Sequence, residues 1–273
     1  MIDTHIHLDE EAYDADREAM IARQAEHGVE AMFVPGVNAK SIEGILDVCR
    51  KHKGLCYAAL GFHPQEITPS WESEWEIIEE AIRKHSDELI AIGEIGLDYH
   101  YDPTYKEEQH EAFQRQLSLA NELELPVMIH SRDATEETVG MLRAFQNGEC
   151  KMENGNSLRG VVHCFNGSKE TATEYLKMGL YLGIGGVITF KNCKLADTLR
   201  ELKTTGIDIL SRIVLETDGP YLAPTPHRGE RNESWLMRYV VDKLAEVFDC
   251  TPEHIIEVTS DNARTLFSKY RKI

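Results

Sequence analysis

Two histidines, His5 and His7, stand two apart near the start of the chain, and four more side chains able to hold a metal recur along it: Glu94, His130, His163 and Asp218. Imidazole nitrogens and carboxylate oxygens are the usual ligands of borderline divalent cations. In an extended segment a spacing of two puts both imidazoles on one face. Each of the other four adjoins an apolar stretch, where a charged group is costly unless paired or coordinated. Alone, each reads as a hydrogen-bonded core histidine or a salt-bridged carboxylate. Six such groups at the same end of five apolar stretches read as one site.

A carboxylate between two groups of ligands can bridge two ions, and Glu94 is the natural shared ligand. His5, His7 and Asp218 then complete one site, and His130 with His163 the other. Two divalent ions (Mg2+, Mn2+ or Zn2+) about 3.5 to 4 Å apart activate water, neutralise a phosphoryl oxygen and stabilise the leaving oxygen. Asp218 is also the expected group for orienting that water and accepting its proton, with Glu216 the nearest alternative carboxylate.

These residues need elements that bring their ends together. Eight apolar runs qualify as strands: Ile2 to His7, Val29 to Val37, Leu55 to Phe62, Leu89 to Ile95, Pro126 to His130, Gly160 to Phe165, Leu180 to Gly185 and Ile213 to Thr217. Most are apolar at consecutive positions, as in parallel strands covered on both faces. Between them run helical stripes such as Ile42, Ile45, Leu46, Cys49 and Phe113, Leu117, Ala120. Thr104 with Glu107 suggests a capping box, Ser168 a cap for a helix that Gly179 ends, and Thr251-Pro252 another helix start. This order predicts an α/β fold, a single (β/α)8 TIM-type barrel over residues 1–273, with the metal site at the C-terminal ends of the strands. An open doubly wound sheet is the alternative. The polar segment Asn147 to Ser157 reads as an inserted surface loop.

Composition narrows the function. The 273 residues carry 29 Lys and Arg against 47 Asp and Glu, a net charge of −18, and are 42% hydrophobic. That content supports a core and excludes disorder as the main state. The charge argues against a basic surface that attracts nucleic acid or an anionic membrane at long range, so any phosphate must be gripped locally. The six cysteines form no CxxC pair and are expected to be reduced. No apolar run is long enough for a membrane span, and the first residues lack the pattern of a secretion signal. The expected location is the cytoplasm, with no membrane association and no obligate protein partner.

Seven segments together resemble the TatD family of metal-dependent deoxyribonucleases: Asp3-Thr-His-Ile-His-Leu-Asp9, Gly61-Phe-His-Pro64, Gly93-Glu-Ile-Gly-Leu-Asp-Tyr-His100, His130-Ser-Arg-Asp-Ala134, His163-Cys-Phe-Asn-Gly-Ser168, Glu216-Thr-Asp-Gly-Pro-Tyr221 and Arg228-Gly-Glu-Arg-Asn232. They run in family order over nearly the whole chain. The resemblance implies an amidohydrolase-type barrel, a dinuclear site on the residues named above, and hydrolysis of DNA from the 3′ end. It also implies that His63 and Arg228 lie near the substrate phosphate. Related amidohydrolases often bridge their metals with a modified lysine on strand four; Glu94 favours the nuclease-like branch. Two departures, Ser234 where many relatives have Pro and the Asn147 to Ser157 loop, are expected to reshape the groove.

The leading expectation is a dinuclear exonuclease acting on DNA ends, with RNA activity possible. The alternative is a small-molecule or aminoacyl ester or amide hydrolase on the same metals, and a third reading is a noncatalytic binding barrel. His63, Arg132, Arg228 and Arg231 suit phosphates better than neutral acyl groups. Gly183-Ile-Gly-Gly186 reads as a phosphate-binding loop or, more simply, a tight turn. Cys164 reads as a small buried residue rather than a nucleophile. Trp71, Trp75 and Ile78 read as helix packing, and Tyr99 with His100 as candidates for lining the mouth.

Overall fold

The computed structural model describes residues 1–148 and 158–270. Eight parallel strands follow one another in chain order: β1 (Ile2–Asp3), β2 (Ala31–Val34), β3 (Cys56–Leu60), β4 (Leu89–Asp98), β5 (Val127–Arg132), β6 (Gly160–Val162), β7 (Tyr181–Ile184) and β8 (Ile213–Leu215). The sheet curves until its edges meet. Thr4 N–H donates to Leu215 O at 3.0 Å, Asp218 N–H to His5 O at 2.9 Å and His7 N–H to Gly219 O at 2.8 Å. This is the expected (β/α)8 barrel; an open sheet would leave β1 and β8 apart.

Continuous apolar sequence and burial on both faces go together here. Every residue of β4 is buried, as are all those of β2, β3 and β7, because the helices cover the outside while side chains fill the inside. The helices are α1 (Arg17–Glu26), α2 (Ser41–Lys51), α3 (Trp71–His85), α4 (Lys106–Glu122), α5 (Thr135–Gln146), α6 (Lys169–Lys177), α7 (Leu195–Lys203), α8 (Met237–Phe248) and α9 (Pro252–Leu266). The stripes predicted from spacing are their buried faces: Ile42, Ile45, Leu46 and Cys49 on α2, Trp71, Trp75 and Ile78 on α3, and Phe113, Leu117 and Ala120 on α4. Phe33 and Tyr57 meet Phe267 and Tyr270, which follow α9, in edge and tilted contacts with centroids 4.9 to 5.8 Å apart.

Two of the three expected helix signals hold. Ser168 Oγ accepts from Thr171 N–H at the start of α6, Gly179 beyond its end has φ +78°, and Thr251 Oγ1 accepts from His254 N–H above Pro252. The Thr104–Glu107 capping box does not form. Thr104 N–H turns to Asp102 Oδ1 at 2.9 Å, and α4 begins only at Lys106 without a side-chain cap, since the preceding Asp turn takes the local hydrogen bond. Residues 149–157, most of the predicted inserted loop, lie outside the described residues.

Candidate metal centre

The six predicted ligands meet at the carboxyl ends of the strands. β1 is only two residues long, so His5 and His7 lie past it, on the stretch that Ile6 continues through a bridge to Gly219. Alternation persists without the strand: His5 Nε2 and His7 Nε2 approach to 3.2 Å. Glu94 sits inside β4, four residues before its end, and His130 sits inside β5. Gly96 lets these strands close up; a Cβ there would fall 2.0 Å from His130 O, and its φ is +143°. His163 follows β6 directly, and Asp218 lies three residues past β8.

Glu94 is buried at the centre, and its two oxygens face different histidines. Oε2 lies 3.1 Å from His5 Nε2 and 3.7 Å from His7 Nε2. Oε1 lies 2.8 Å from His130 Nδ1, 3.5 Å from His63 Nε2 and 3.9 Å from His163 Nε2. Asp218 Oδ1 stands 3.6 Å from His7 Nε2 and 3.5 Å from His163 Nε2. The His163 ring stacks on His5 with centroids 3.6 Å apart, so it touches both halves of the cluster instead of belonging to one. His63 takes the place beside Glu94 and His130. Among the described residues, groups of three ligand atoms within 4.8 Å of one another comprise His5, His7 and Asp218; His5, Glu94 and His163; His63, Glu94 and His130; and His163, Cys164 and Glu216.

This donor set suits divalent cations. Buried imidazole nitrogens and carboxylate oxygens converge with few hydrogens between them, an arrangement that is costly until a cation satisfies it. Burial works to raise the Glu94 carboxyl, but His5, His63 and His163 outweigh it and hold it well below its usual range. Asp218 is likewise held down against burial, by His163, His7 and His5. Burial lowers His5 and His63, which keeps their lone pairs free. It opposes protonation of His163 too, yet Glu216, Glu94 and Asp218 lift that ring to about 10. A cation held there would displace any proton on that ring.

Spacing alone did not reveal the groups that aim the rings. Asp98 Oδ2 lies 2.8 Å from His130 Nε2 and accepts from Gln65 Nε2 at 2.8 Å. Glu216 Oε1 lies 3.1 Å from His163 Nδ1 and accepts from Cys164 N–H at 2.6 Å. Such carboxylates fix the orientation of ligand histidines. Both belong to segments already singled out, and a carboxylate inside an apolar strand was the available signal.

The remaining expectations divide. A cavity of about 870 Å³ covers the cluster, lined among others by His63, Glu94, His130, Arg132, His163 and Asp218. Arg132 makes no ion pair among the described residues. Arg228 does not line the cavity; its guanidinium lies 3.7 Å from the Phe190 ring centroid and donates to Ala223 O. Arg231 is committed to Asp16 and Glu233 at 2.6 and 2.8 Å. Tyr99 and His100 do not line the cavity, Tyr99 being held by Glu137 and His110 and His100 by Asp133, and the next residue, Tyr101, lines the mouth instead. Gly183 and Gly186 are required by close packing: a Cβ at Gly183 would strike Glu216 Oε2 at 2.1 Å and one at Gly186 would meet Leu222 O at 2.2 Å. Their small size seats the Glu216 carboxylate and the loop after β8. Cys164 is partly buried and lines the cavity, not the fully buried residue expected; desolvation still drives its thiol well above its ordinary range. Ser234 does not shape the groove. It is fully buried, and its hydroxyl donates to Asp3 Oδ2 at 2.6 Å.

A family model described as TatD related DNase matches residues 2–268. The chain belongs to the TatD family. It is 39% identical over 268 residues to the uncharacterized metal-dependent hydrolase YabD of Bacillus subtilis strain 168, covering 98% of each chain. It is 32% identical over 272 residues to a 3′-5′ ssDNA/RNA exonuclease TatD of Erwinia tasmaniensis, covering 98% of this chain and 100% of the other. Among solved structures, the TatD homologue YJJV of Escherichia coli K12 resembles it with a TM-score of 0.85 at 29% identity, 98% of both chains being covered. The chain is thus a metal-dependent hydrolase of the TatD family with a barrel fold. No helix among the described residues is long and apolar enough to cross a membrane.

Proposed function

We propose that residues 1–273 act as one domain that removes nucleotides from the 3′ ends of DNA, and of RNA, with two divalent ions bridged by Glu94. The observation that carries this reading is the division of one buried carboxylate, with Oε2 toward His5 and His7 and Oε1 toward His130 and His63. His5, His7 and Asp218 would hold one ion, and His130 with His163 the other, His63 standing close enough to assist or to meet the phosphate. Such ions, when bound, make water more acidic and withdraw charge from a phosphoryl oxygen. The protein's own residues supply the rest.

Of the two carboxylates among the six candidate ligands, Asp218 follows its strand on a loop that lines the cavity, its side chain 18% exposed against 3% for Glu94. It therefore orients the attacking water and takes its proton. Glu216 and Asp98 keep the His163 and His130 rings in place, while Glu94 contributes to catalysis by holding both halves in register. Arg132, without an acidic partner among the described residues and on the cavity wall, receives the phosphate charge together with His63. With −18 overall, the enzyme holds a strand end locally and does not track along it. The five described cysteines, all free, support a cytoplasmic setting.

The test uses metal-stripped protein refilled with Mg2+, Mn2+ or Zn2+ and single-stranded DNA labelled at its 5′ end. A ladder shortened progressively from the 3′ side is expected, with circular single strands resistant. Equal cleavage of circular DNA, or ester hydrolysis without any DNA cleavage, overturns the reading, the second result in favour of a small-molecule hydrolase.

A further inference from the structure

Three large side chains with apolar bodies stand exposed among the described residues: Ile77, Tyr101 and Tyr221. Ile77 lies on α3, but both tyrosines line the cavity over the metal-competent cluster. Tyr101 is 71% and Tyr221 50% exposed. A ring left in water contributes little to folding, because its burial is what stabilises. Two such rings at the mouth of one polar cavity therefore call for an occupant.

Their positions are set by the barrel. Tyr101 follows β4 and Tyr221 follows β8, and the fourth and eighth strands of an eight-stranded barrel are diametrically opposed. Both rings line the cavity that Glu94 also lines, one on the loop after β4 and the other on the loop after β8. Tyr221 is anchored through its backbone: its N–H donates to Asp218 O at 2.8 Å and its carbonyl accepts from the buried Asn232 Nδ2 at 2.7 Å. Its ring centroid lies 6.4 Å from that of His7. Tyr101 is backed by the Arg132 guanidinium, 4.9 Å from the ring centroid, and by the edge of His100 at 4.8 Å.

We propose that Tyr101, backed by Arg132, and Tyr221 form a two-sided base clamp that receives unpaired nucleobases flanking the scissile phosphate and so selects single-stranded ends over duplex ends. The inference rests on the exonuclease reading above. Each base has a π-face, so stacking on an aromatic ring tolerates every sequence and stabilises binding by about 1 to 3 kcal/mol per base. The arginine beside Tyr101 adds a cation for the neighbouring phosphate. In a duplex the inner face of each terminal base is covered by the next pair and its partner occupies its pairing edge, so a base passes between two rings only after the end frays. In a chain this acidic, the clamp supplies the grip that a basic surface provides elsewhere.

The experiment compares wild type with Tyr101→Ala, Tyr221→Ala and the matching Phe variants, on a single-stranded oligonucleotide, the same strand with abasic sites at its last two positions, and a blunt duplex. Each Ala variant is expected to raise KM on the normal strand by roughly 5- to 150-fold with kcat changed far less, and Phe to restore it. Wild type should lose a comparable factor on the abasic strand and on the duplex, and the Ala variants should lose little more there. Exposed positions make misfolding improbable, and metal content checks it. If wild type shortens the normal strand but the Ala variants keep its KM, or the abasic end is processed equally well, the clamp is wrong while the exonuclease reading stands. If wild type shortens no nucleic acid, the exonuclease reading fails and the clamp with it.

Discussion

Removing the Ser234 hydroxyl tests how the two ends of the barrel sheet are held under the metal centre. Asp3 is fully buried, and burial pushes its carboxyl up to about 7 despite hydrogen bonds from Ser234, Thr217 and the His5 backbone. Four donors reach it: Ser234 Oγ at 2.6 Å, Thr217 Oγ1 at 2.7 Å, Thr217 N–H at 3.0 Å and His5 N–H at 3.2 Å. They join the segment carrying His5 and His7 to the segment carrying Asp218. In Ser234→Ala no water can replace the lost donor, because both residues are wholly covered. A hydrogen bond to a charged acceptor is worth about 1.5 to 3 kcal/mol, which for a chain of this size corresponds to a fall in melting temperature of about 3 to 12 °C. Calorimetry at pH 8, with and without saturating metal, measures it. Thr217→Val should cost a similar amount, and the double variant should depart from additivity by at least 0.5 kcal/mol in order of magnitude, since both hydroxyls serve one carboxylate oxygen. A shift below about 1 °C in Ser234→Ala would show that Asp3 does not depend on this donor.

Glu94→Ala is expected to lower occupancy at both metal sites, whereas His130→Ala lowers mainly one; metal analysis after titration decides, and full double occupancy in Glu94→Ala would remove the bridge. Asp218→Asn keeps an oxygen able to coordinate but loses basicity, so kcat should drop by about 10²-fold or more with little change in substrate binding; near-normal turnover would move the proton acceptor to another group. Arg132→Ala should weaken DNA binding, measured by fluorescence anisotropy, more than Arg228→Ala, because Arg132 lines the cavity and Arg228 lies over Phe190; the reverse order would place the phosphate outside the cavity. Asp16 is held down at about 2, chiefly by its hydrogen bond to Arg231. A depressed carboxyl stabilises the fold above its unfolded pKa near 4 and loses that contribution as pH falls toward 2, so the stability gap between wild type and Asp16→Asn should narrow between pH 5 and 3 in urea titrations. A gap that stays constant would mean that the ion pair does not set this pKa.

The sequence by itself determined the eight strands, their parallel arrangement and which six side chains would meet at the ends of the strands. Runs such as Leu89 to Ile95 are apolar at every position, which is a local property, and a carboxylate or imidazole inside or just after such a run stands out without knowledge of its neighbours. Helix starts at Ser168 and Thr251 were legible for the same reason, since cap and partner lie three residues apart. What only the tertiary structure decided involves partners far apart in the chain. Which oxygen of Glu94 faces which histidine, the arrival of His63 beside His130, and the stacking of His163 on His5 depend on how β1, β3, β5 and β6 are placed around β4. Ser234 meets Asp3 across 231 positions, and Glu216 meets Cys164 across 52. Side-chain direction on the loops also escaped the sequence: of the adjacent residues His100 and Tyr101, the first is held by Asp133 and the second lines the cavity mouth. Loop backbone has no fixed period to carry direction forward as a strand does, so closure of the barrel had to settle it.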